Sequence, residues 1–251
     1  MKNYNPKVSI VVATYNAESY LQVTIDSIKN IRYKNIELII VDGGSIDKTV
    51  ELINENSNVI SFWISELDAG IYDAWNKGLN LSSGEWICFL GAGDVILRDS
   101  LSTYIEYLES FPSGSVEYVS SQVVETRDYK KYSKKRGKAW YWRDFRRYMT
   151  VAHPGSLHNR ALYLKYGIYD SKYKVCGDYE FLLRAKNLLK AEFLNFTSAI
   201  VLSGGISQYS IKAIYECEKA KILTGSRGIL ISRIERYIAI LKWYIKKIIY
   251  S

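Results

Sequence analysis

The stretch "IELIIVDGGSIDKT", residues 36–49, joins an apolar run to a polar, glycine-rich corner. The apolar run predicts a buried strand that ends at Asp42, and a helix is expected to follow with Ser45 as its N-cap and Asp47 in its first turn. Asp42 can accept hydrogen bonds from a base edge or a ribose, and N–H groups at a helix start suit phosphate. Alternatively, Asp42 only caps or braces the turn.

The same arrangement recurs through the first hundred residues. Strand-like runs "KVSIVVAT", "IELIIVD", "VISFWIS" and "EWICFLG" alternate with helix-length segments at 17–30, 46–56, 70–80 and 98–110. This alternation predicts βαβ units and a mostly parallel sheet flanked by helices, an α/β fold. Because ligands bind at the carboxyl ends of such strands, we expect the corners "ATYN", "DGGS", "SELDAG" and "GAGD" to meet in one cleft.

The pattern changes near residue 115. Two strands joined by a charged turn are followed by "HPGSLHNR", a helix-like "DYEFLLRAKNLL" and a strand-like "AEFLNFTSAIVL" that closes in "SGGIS". We expect one domain over residues 1–207, with 1–114 and 115–207 supplying the two halves of its cleft. Residues 208–251 are predicted to form an appendage of two amphipathic helices.

Composition narrows the classes of partner. The 251 residues are 48% hydrophobic and carry a net charge of +8, so an anionic partner such as a phosphorylated substrate, a phospholipid surface or a nucleic acid is expected. No nucleic-acid-binding module is recognisable, which ranks nucleic acid last. Three widely spaced cysteines, Cys88, Cys176 and Cys217, indicate neither a disulfide framework nor a zinc site. With no signal-like segment and no apolar run of roughly 18–20 residues, we expect a cytoplasmic protein.

Seven motifs in order carry a resemblance to a known family: "VSIVVATYN", "VDGGSIDKT", "SELDAGIYDAWNKGL", "WICFLGAGD", "HPGSLHNR", "GDYEFLLR" and "SGGIS". Across residues 7–207 the chain resembles family 2 glycosyltransferases of the Rossmann-like GT-A fold, of the type that builds bacterial surface polysaccharides. The resemblance implies inverting transfer of a sugar from a nucleotide-diphosphate donor, preferably a UDP-sugar. It also implies that Thr14, Tyr15 and Asp42 hold the nucleoside, that Asp68 lies beside base or ribose, and that Asp94 meets the diphosphate and a metal.

The "GAGD" corner departs from the family pattern, in which two or three carboxylates are common. A single carboxylate, Asp94, is compatible with Mg²⁺ or Mn²⁺ when substrate phosphates and waters supply the other oxygens. Gly91 and Gly93 let the backbone approach the phosphates. The alternative is that Asp94 is only the N-cap of the turn before the helix predicted at 98–110.

Inverting transfer also needs a general base for the acceptor hydroxyl. In "CGDYEFLLR", Asp178 is expected just ahead of a helix, and Glu180 follows two residues later on a different helix face. Asp178 is therefore the preferred base, as the resemblance also implies, while Glu180 is kept as a possible substrate contact. A purely capping role for Asp178 is the alternative.

Two further side chains are candidates for substrate contact. His153 can contact the donor, the acceptor or the metal, or serve as a structural hydrogen-bonding group. Lys77 can reach a phosphate.

The resemblance suggests a polyprenyl-diphosphate-linked saccharide as the acceptor, in O-antigen, capsule or exopolysaccharide assembly. The basic amphipathic tail fits peripheral contact with the inner face of the cytoplasmic membrane, or packing on the catalytic domain. Transfer directly to a polyprenyl phosphate, and a degenerate nucleotide-binding scaffold at the membrane, remain alternative functions.

Overall fold

Four parallel strands form the first half of the molecule. The computed structural model describes residues 4–203 and 210–249. In it the predicted strands are β1 (Val8–Thr14), β2 (Ile36–Asp42), β3 (Phe62–Ser65) and β4 (Trp86–Gly91), arranged side by side in the order β3-β2-β1-β4. Because β1, β2 and β4 are apolar on both faces, they lie in the middle of a sheet that is covered on both sides.

Helices cover the two faces of this sheet: α1 (Leu21–Lys29), α2 (Thr49–Glu55), α3 (Ile71–Leu81) and α4 (Ser100–Glu109). Alternate residues of β1 enter opposite cores, since Val11 packs with the α3 side and Ile10 with the α1 and α4 side. The helices α1, α2 and α4 lie within the predicted segments, and α3 ends one residue beyond its segment, so the predicted βαβ organisation is confirmed.

The second half of the sheet is mixed. Its strands are β5 (Val95–Ile96), β6 (Tyr118–Thr126), β7 (Tyr132–Arg136), β8 (Leu157–Asn159) and β9 (Ala191–Leu202). The short strand β8 pairs antiparallel with both β4 and β6 and so joins the halves, while β6 and β9 run parallel. The sequence analysis missed β5 and β8, whose two and three residues are too short to show a period.

Helices of the second half hold the remaining candidate residues. They are α5 (Trp142–Phe145), α6 (Ala161–Tyr166) and α7 (Gly177–Ala185), which ends in a 3₁₀ turn at Lys186–Leu188. The helix α7 begins ahead of the position that the sequence analysis assumed. Asp178 is therefore its second residue and does not precede it.

Two helices follow the sheet, as predicted: α8 (Ile211–Leu223) and α9 (Ile229–Ile249). Ala220 of α8 is buried in the core that contains α7, and Glu235 of α9 pairs with Lys221 and Arg227. Among the described residues, no helix combines the length and the apolar character that a membrane crossing requires. Residues 204–207 of the "SGGIS" motif lie outside the described residues.

Candidate active site

The carboxyl ends of the parallel strands meet, as their pairing requires. Thr14 is the register partner of Asp42, and Asp42 is the register partner of Ser65. The N–H of Gly43 donates to the carbonyl of Thr14 at 2.9 Å. On the other side of β1, Ala13 is paired with Gly91. The four corners that the sequence analysis singled out therefore lie along one edge of the sheet.

Asp42 is fully buried and braces its own corner. Its Oδ2 accepts the Ser65 hydroxyl at 2.6 Å and the Ser45 N–H at 2.9 Å, and its Oδ1 accepts the Ser45 hydroxyl. The prediction that Ser45 caps the next helix was wrong: α2 begins at Thr49, whose N–H donates to Asp47. Asp42 thus has the bracing role left open above, and its contact with a nucleoside stays a prediction.

Tyr15, Gly43 and Asp68 lie together at this edge. A Cβ placed on Gly43 would come within 2.6 Å of the Asp68 Oδ2 and 3.4 Å of the Tyr15 ring, so a larger residue there would displace the Asp68 carboxylate. The Tyr15 side chain is 62% exposed, and Asp68 is fixed through its Oδ1, which accepts the Gly70 N–H at 2.7 Å. An exposed ring beside an oriented carboxylate has the chemistry to stack on a base and to accept a hydrogen bond from base or ribose.

Thr14 contributes a different kind of group. It is 5% exposed, and its hydroxyl oxygen has no hydrogen-bond partner within the described part of the chain. A buried hydroxyl without a partner is costly. The atom is therefore available to a polar ligand at the strand end.

Lys77 organises the loop that carries Asp68. Its ammonium pairs with Glu66 at 2.8 Å and Asp73 at 3.6 Å and donates to the Leu67 carbonyl at 2.9 Å. Burial lowers the pKa of Lys77, but the hydrogen bond that its ammonium donates to Glu66 and the charges of Asp73 and Glu66 outweigh burial and leave the pKa raised. The structure thus ties Lys77 to loop 66–68, and a phosphate contact stays a prediction.

Asp94 is held at the strand-4 corner by backbone groups. Its Oδ2 accepts the Gly91 N–H at 2.9 Å, and its Oδ1 accepts the Leu202 N–H at 3.1 Å. Since α4 begins only at Ser100, Asp94 does not cap α4 itself, and a role as cap of the turn before this helix stays a prediction. Burial raises the pKa of Asp94 to about 6, against the effect of its two backbone hydrogen bonds. The Asp94 carboxylate therefore joins β4 to the end of β9.

The oxygen ligands that Asp94 offers at this corner fit a metal cation that arrives together with a phosphorylated substrate. Within residues 4–203 and 210–249, no cluster of three or more His, Cys, Asp or Glu side chains is placed to hold a metal. Asp94 is 7% exposed, and from the described residues each of its oxygens accepts one N–H, which leaves further acceptor capacity. One carboxylate together with phosphate oxygens and waters satisfies Mg²⁺ or Mn²⁺.

Gly93, predicted to contact substrate, shapes the same corner. It has a positive φ of 97°, and a Cβ there would lie 2.6 Å from Leu202 Cδ2. Its carbonyl accepts the Tyr129 hydroxyl at 2.7 Å, which brings the charged β6–β7 turn to the corner. Tyr129 was not recognised from the sequence, because its contact depends on how the hairpin folds back.

Asp178, the candidate base, is oriented through one oxygen. Its Oδ1 lies 3.0 Å from the Tyr72 hydroxyl and accepts the Tyr179 N–H at 2.8 Å. No group of the described residues donates to its Oδ2. Lys174, four residues earlier, donates through its ammonium to the Ala69 carbonyl, so the segment that leads to Asp178 adjoins the loop that carries Asp68.

Glu180 faces elsewhere. It is buried and forms a paired salt bridge with Arg184, at 2.5 and 2.9 Å. The same guanidinium binds the carbonyls of Tyr166 and Ile168. Glu180 therefore fastens α7 to the end of α6, and the structure does not show it joined to Asp178.

His153 lies in the aromatic core. It is 3% exposed, its ring stacks on Trp75 with centroids 4.6 Å apart, and its Nε2 lies 3.0 Å from the Tyr169 hydroxyl. Burial lowers the pKa of His153 to about 4, against the nearby charge of Asp178. A neutral, stacked ring fits the structural alternative for His153, and a substrate contact stays a prediction.

The family follows from a sequence comparison. Residues 9–167, more than half of the chain, match the family model described as Glycosyl transferase family 2. The chain belongs to glycosyltransferase family 2. The resemblance inferred from the seven motifs is thereby confirmed, although Asp178 lies beyond the matched residues.

Curated relatives of this glycosyltransferase carry the same general description. A "PGL/p-HBAD biosynthesis glycosyltransferase" of Mycobacterium bovis is 28% identical over 186 residues, which cover 71% of this chain and 69% of the relative. An "uncharacterized glycosyltransferase" of Haemophilus influenzae is 37% identical over 106 residues, covering 41% and 42% of the two chains.

Solved structures share the fold. Staphylococcus aureus TarS 1–349 in complex with UDP-GlcNAc superimposes with a TM-score of 0.70 at 16% identity, covering 87% of this glycosyltransferase and 66% of that chain. A mannosyltransferase from Pyrobaculum calidifontis, in complex with GDP-Man and Mn²⁺, gives 0.68 at 18% identity and covers 94% and 71%. At these identities the likeness confirms the predicted GT-A fold.

Proposed function

We propose that this chain is an inverting glycosyltransferase that moves a sugar from a nucleotide-diphosphate donor, a UDP-sugar, to a lipid-linked saccharide. The observation that carries the proposal is the Asp178 carboxylate, which is oriented through Oδ1 while Oδ2 has no donor among the described residues. Complexes of the structural neighbours with UDP-GlcNAc and GDP-Man support a nucleotide-sugar donor.

The donor lies along the strand edge in this proposal. Tyr15 and Asp68 hold the base and ribose, with Gly43 leaving the space between them. The diphosphate reaches the β4 corner at Gly93 and Asp94. Asp94 would hold a divalent cation that arrives with the donor, and the positive charge of the cation would stabilise the leaving diphosphate.

Asp178 takes the acceptor proton. The acceptor oxygen forms its bond to the anomeric carbon on the face opposite the diphosphate, while the bond to the diphosphate oxygen breaks and its electron pair leaves with the nucleotide. The hydroxyl proton passes to Asp178 Oδ2. The Tyr72 hydroxyl and the Tyr179 N–H keep the other oxygen in place during the transfer, so the base does not have to be reoriented.

The helix α9 supports a lipid-linked acceptor and an anionic membrane surface as partner. Many of its apolar side chains are exposed, among them Leu230, Tyr237, Leu241, Tyr244 and Ile248. Exposed Arg233, Lys242 and Lys247 accompany them on the same helix. Exposed apolar and cationic side chains on one helix suit a position in the interface of an anionic membrane.

A pair of variants separates the two carboxylates. We expect Asp178→Asn to bind a UDP-sugar and Mn²⁺ as the unaltered chain does, but to lose turnover by roughly 10² to 10⁴, since the general base is missing. Asp94→Asn is expected to lose metal-dependent donor binding together with turnover, because an amide is a poorer ligand for a hard cation.

Calorimetric titration of UDP-sugars with and without Mn²⁺, beside a transfer assay, measures both effects. Asp170→Asn is the matched control, because this carboxylate, eight residues before Asp178 in the chain, accepts just the N–H of Lys172 among the residues that the structure describes. Full activity in Asp178→Asn contradicts the assignment of the base. Undiminished metal-dependent binding in Asp94→Asn contradicts the assignment of the metal ligand.

A further inference from the structure

Three consecutive backbone N–H groups ahead of α7 point at one carboxylate. Lys174 donates to Glu216 at 3.0 and 3.1 Å, Val175 at 2.8 Å and Cys176 at 3.0 Å. Successive N–H groups that converge in this way form an anion-binding concavity in the backbone. Here the anion is supplied by the chain itself, from α8.

The segment 174–176 sets the position of Asp178. Cys176 is the residue from which α7 starts, and its carbonyl accepts the Glu180 N–H at 2.9 Å. The Val175 carbonyl lies 2.7 Å from the Tyr72 hydroxyl, which also lies 3.0 Å from Asp178 Oδ1. The hydroxyl that orients the base is thus itself held by the segment that Glu216 binds.

The segment 174–177 is packed tightly on both of its sides. A Cβ on Gly177 would lie 2.8 Å from the Tyr72 ring, so the backbone next to Asp178 rests directly on Tyr72. On the other side, the Cys176 thiol donates to the Ala213 carbonyl of α8 at 3.3 Å and lies 3.0 Å from the Cys217 sulfur. The segment 174–177 is therefore clamped between α3 and α8.

The buried N–H groups of this segment need a strong hydrogen-bond acceptor, and the Glu216 carboxylate provides it. Val175 and Cys176 are buried, and buried N–H groups without an acceptor are strongly disfavoured. Hydrogen bonds to a carboxylate are shorter and stronger than bonds to a neutral acceptor. Removing the carboxylate would free the segment to move, and a small displacement of a catalytic group has a large effect on rate.

We propose that Glu216 is a positioning residue for the catalytic base, and that α8 is therefore part of the catalytic frame. This inference rests on the proposed role of Asp178. Glu216 lies outside residues 9–167, which match the family model, and within the segment that the sequence analysis treated as an appendage.

The test compares Glu216→Ala and Glu216→Gln with Glu218→Ala. Glu218 lies on the same helix but pairs with Arg236 of α9, so it is the matched control. We expect Glu216→Ala to lower kcat on the order of 10²-fold while calorimetric affinity for a UDP-sugar stays unchanged. Glu216→Gln keeps one acceptor oxygen and should lose less. The control should keep its kcat.

Combination with Asp178→Asn distinguishes positioning from a general structural effect. If Glu216 acts through the base, then adding Glu216→Ala to Asp178→Asn should lower the residual rate no further. An equal loss in both backgrounds, or an unchanged kcat in the folded single variants, overturns the proposal. If Glu216→Ala does not fold, Glu216→Gln is read by the same two criteria. Full activity in Asp178→Asn alone would instead contradict the proposed function.

Discussion

Glu37 is a buried carboxylate at the amino-terminal edge of the sheet, opposite the candidate active site. It accepts the Ser9 hydroxyl at 2.6 Å, the N–H groups of Ser83 and Gly84, and the Lys7 ammonium at 3.2 Å. Burial raises the pKa of Glu37, but these hydrogen bonds outweigh burial and lower the pKa from 4.5 to about 2. Glu37 thus joins the starts of β1, β2 and β4.

We expect Glu37→Gln to lower the free energy of unfolding by roughly 1–3 kcal/mol, since the amide nitrogen cannot accept the N–H and hydroxyl groups that face it. Urea denaturation of the variant measures the change. Glu55→Gln, at an exposed position of α2, is the control and should be near neutral. Equal stability of the two variants contradicts the role given to Glu37.

The pKa of Glu37 also predicts a pH dependence. Because the folded-state pKa is lower than the ordinary 4.5, the contribution of Glu37 to stability is complete above about pH 4.5 and is lost as the pH falls toward 2. Thermal unfolding measured across this range should show a steeper loss in the unaltered chain than in Glu37→Gln. Parallel curves for the two proteins would falsify this prediction.

At the scale of elements, the corner between β4 and β5 depends on the end of β9. Leu202 supplies the N–H that binds Asp94, and its side chain fills the space beside Gly93. The strand β9 also pairs with β5 across this corner. One strand end therefore fixes both the carboxylate and the glycine turn that are proposed to meet the diphosphate.

Two glycines of this corner give a matched comparison. Gly93→Ala places a Cβ at positive φ and 2.6 Å from Leu202, so we expect it to displace the corner and weaken donor binding at least about tenfold, the equivalent of ~1.4 kcal/mol. Gly91→Ala keeps the N–H that Asp94 accepts, and its Cβ would lie at an ordinary 3.5 Å from Asp94 Oδ2, so we expect it to weaken donor binding less than Gly93→Ala does. Calorimetry with a UDP-sugar decides between them, and equal affinities would count against the role of Gly93.

At the scale of the whole molecule, α9 is fastened to the rest of the chain by charge while much of its apolar surface stays exposed. Lys221, Arg227 and Glu235 form an ion-pair network between the end of α8 and α9. Exposed Leu and Ile side chains extend from residue 229 to residue 248. Shortening the chain at α9 would disturb this network, so point substitutions test the membrane proposal more cleanly.

We expect the combined variant Leu230→Ser, Leu241→Ser and Ile248→Ser to lose co-sedimentation with vesicles of phosphatidylcholine and phosphatidylglycerol, because the apolar contribution to interfacial binding is removed. Leu164→Ser, at an exposed position of α6, is the control and should still co-sediment. Added salt should weaken binding of the unaltered chain by screening its charges. Undiminished co-sedimentation of the combined variant argues against α9 as the membrane contact.

The sequence by itself determined the parallel half of the sheet and the edge where its motifs meet. Apolar runs predicted β1 to β4, and each run ended at the motif that the structure places at the strand end. The physical reason is that strand and helix periods are local properties of the chain, and parallel strands necessarily bring their carboxyl ends to one edge.

Only the tertiary structure decided which partners hold the candidate site. Asp94 binds the N–H of Leu202, 108 residues away, Asp178 meets Tyr72 across 106 residues, and His153 is stacked in the core. Nothing in the local sequence distinguishes the N–H groups that bind Glu216, because the contact forms only when α8 packs beside them. Contacts of this kind depend on how β8, β9 and α8 pack against the parallel half of the sheet. The local periodicity of the sequence does not predict that packing.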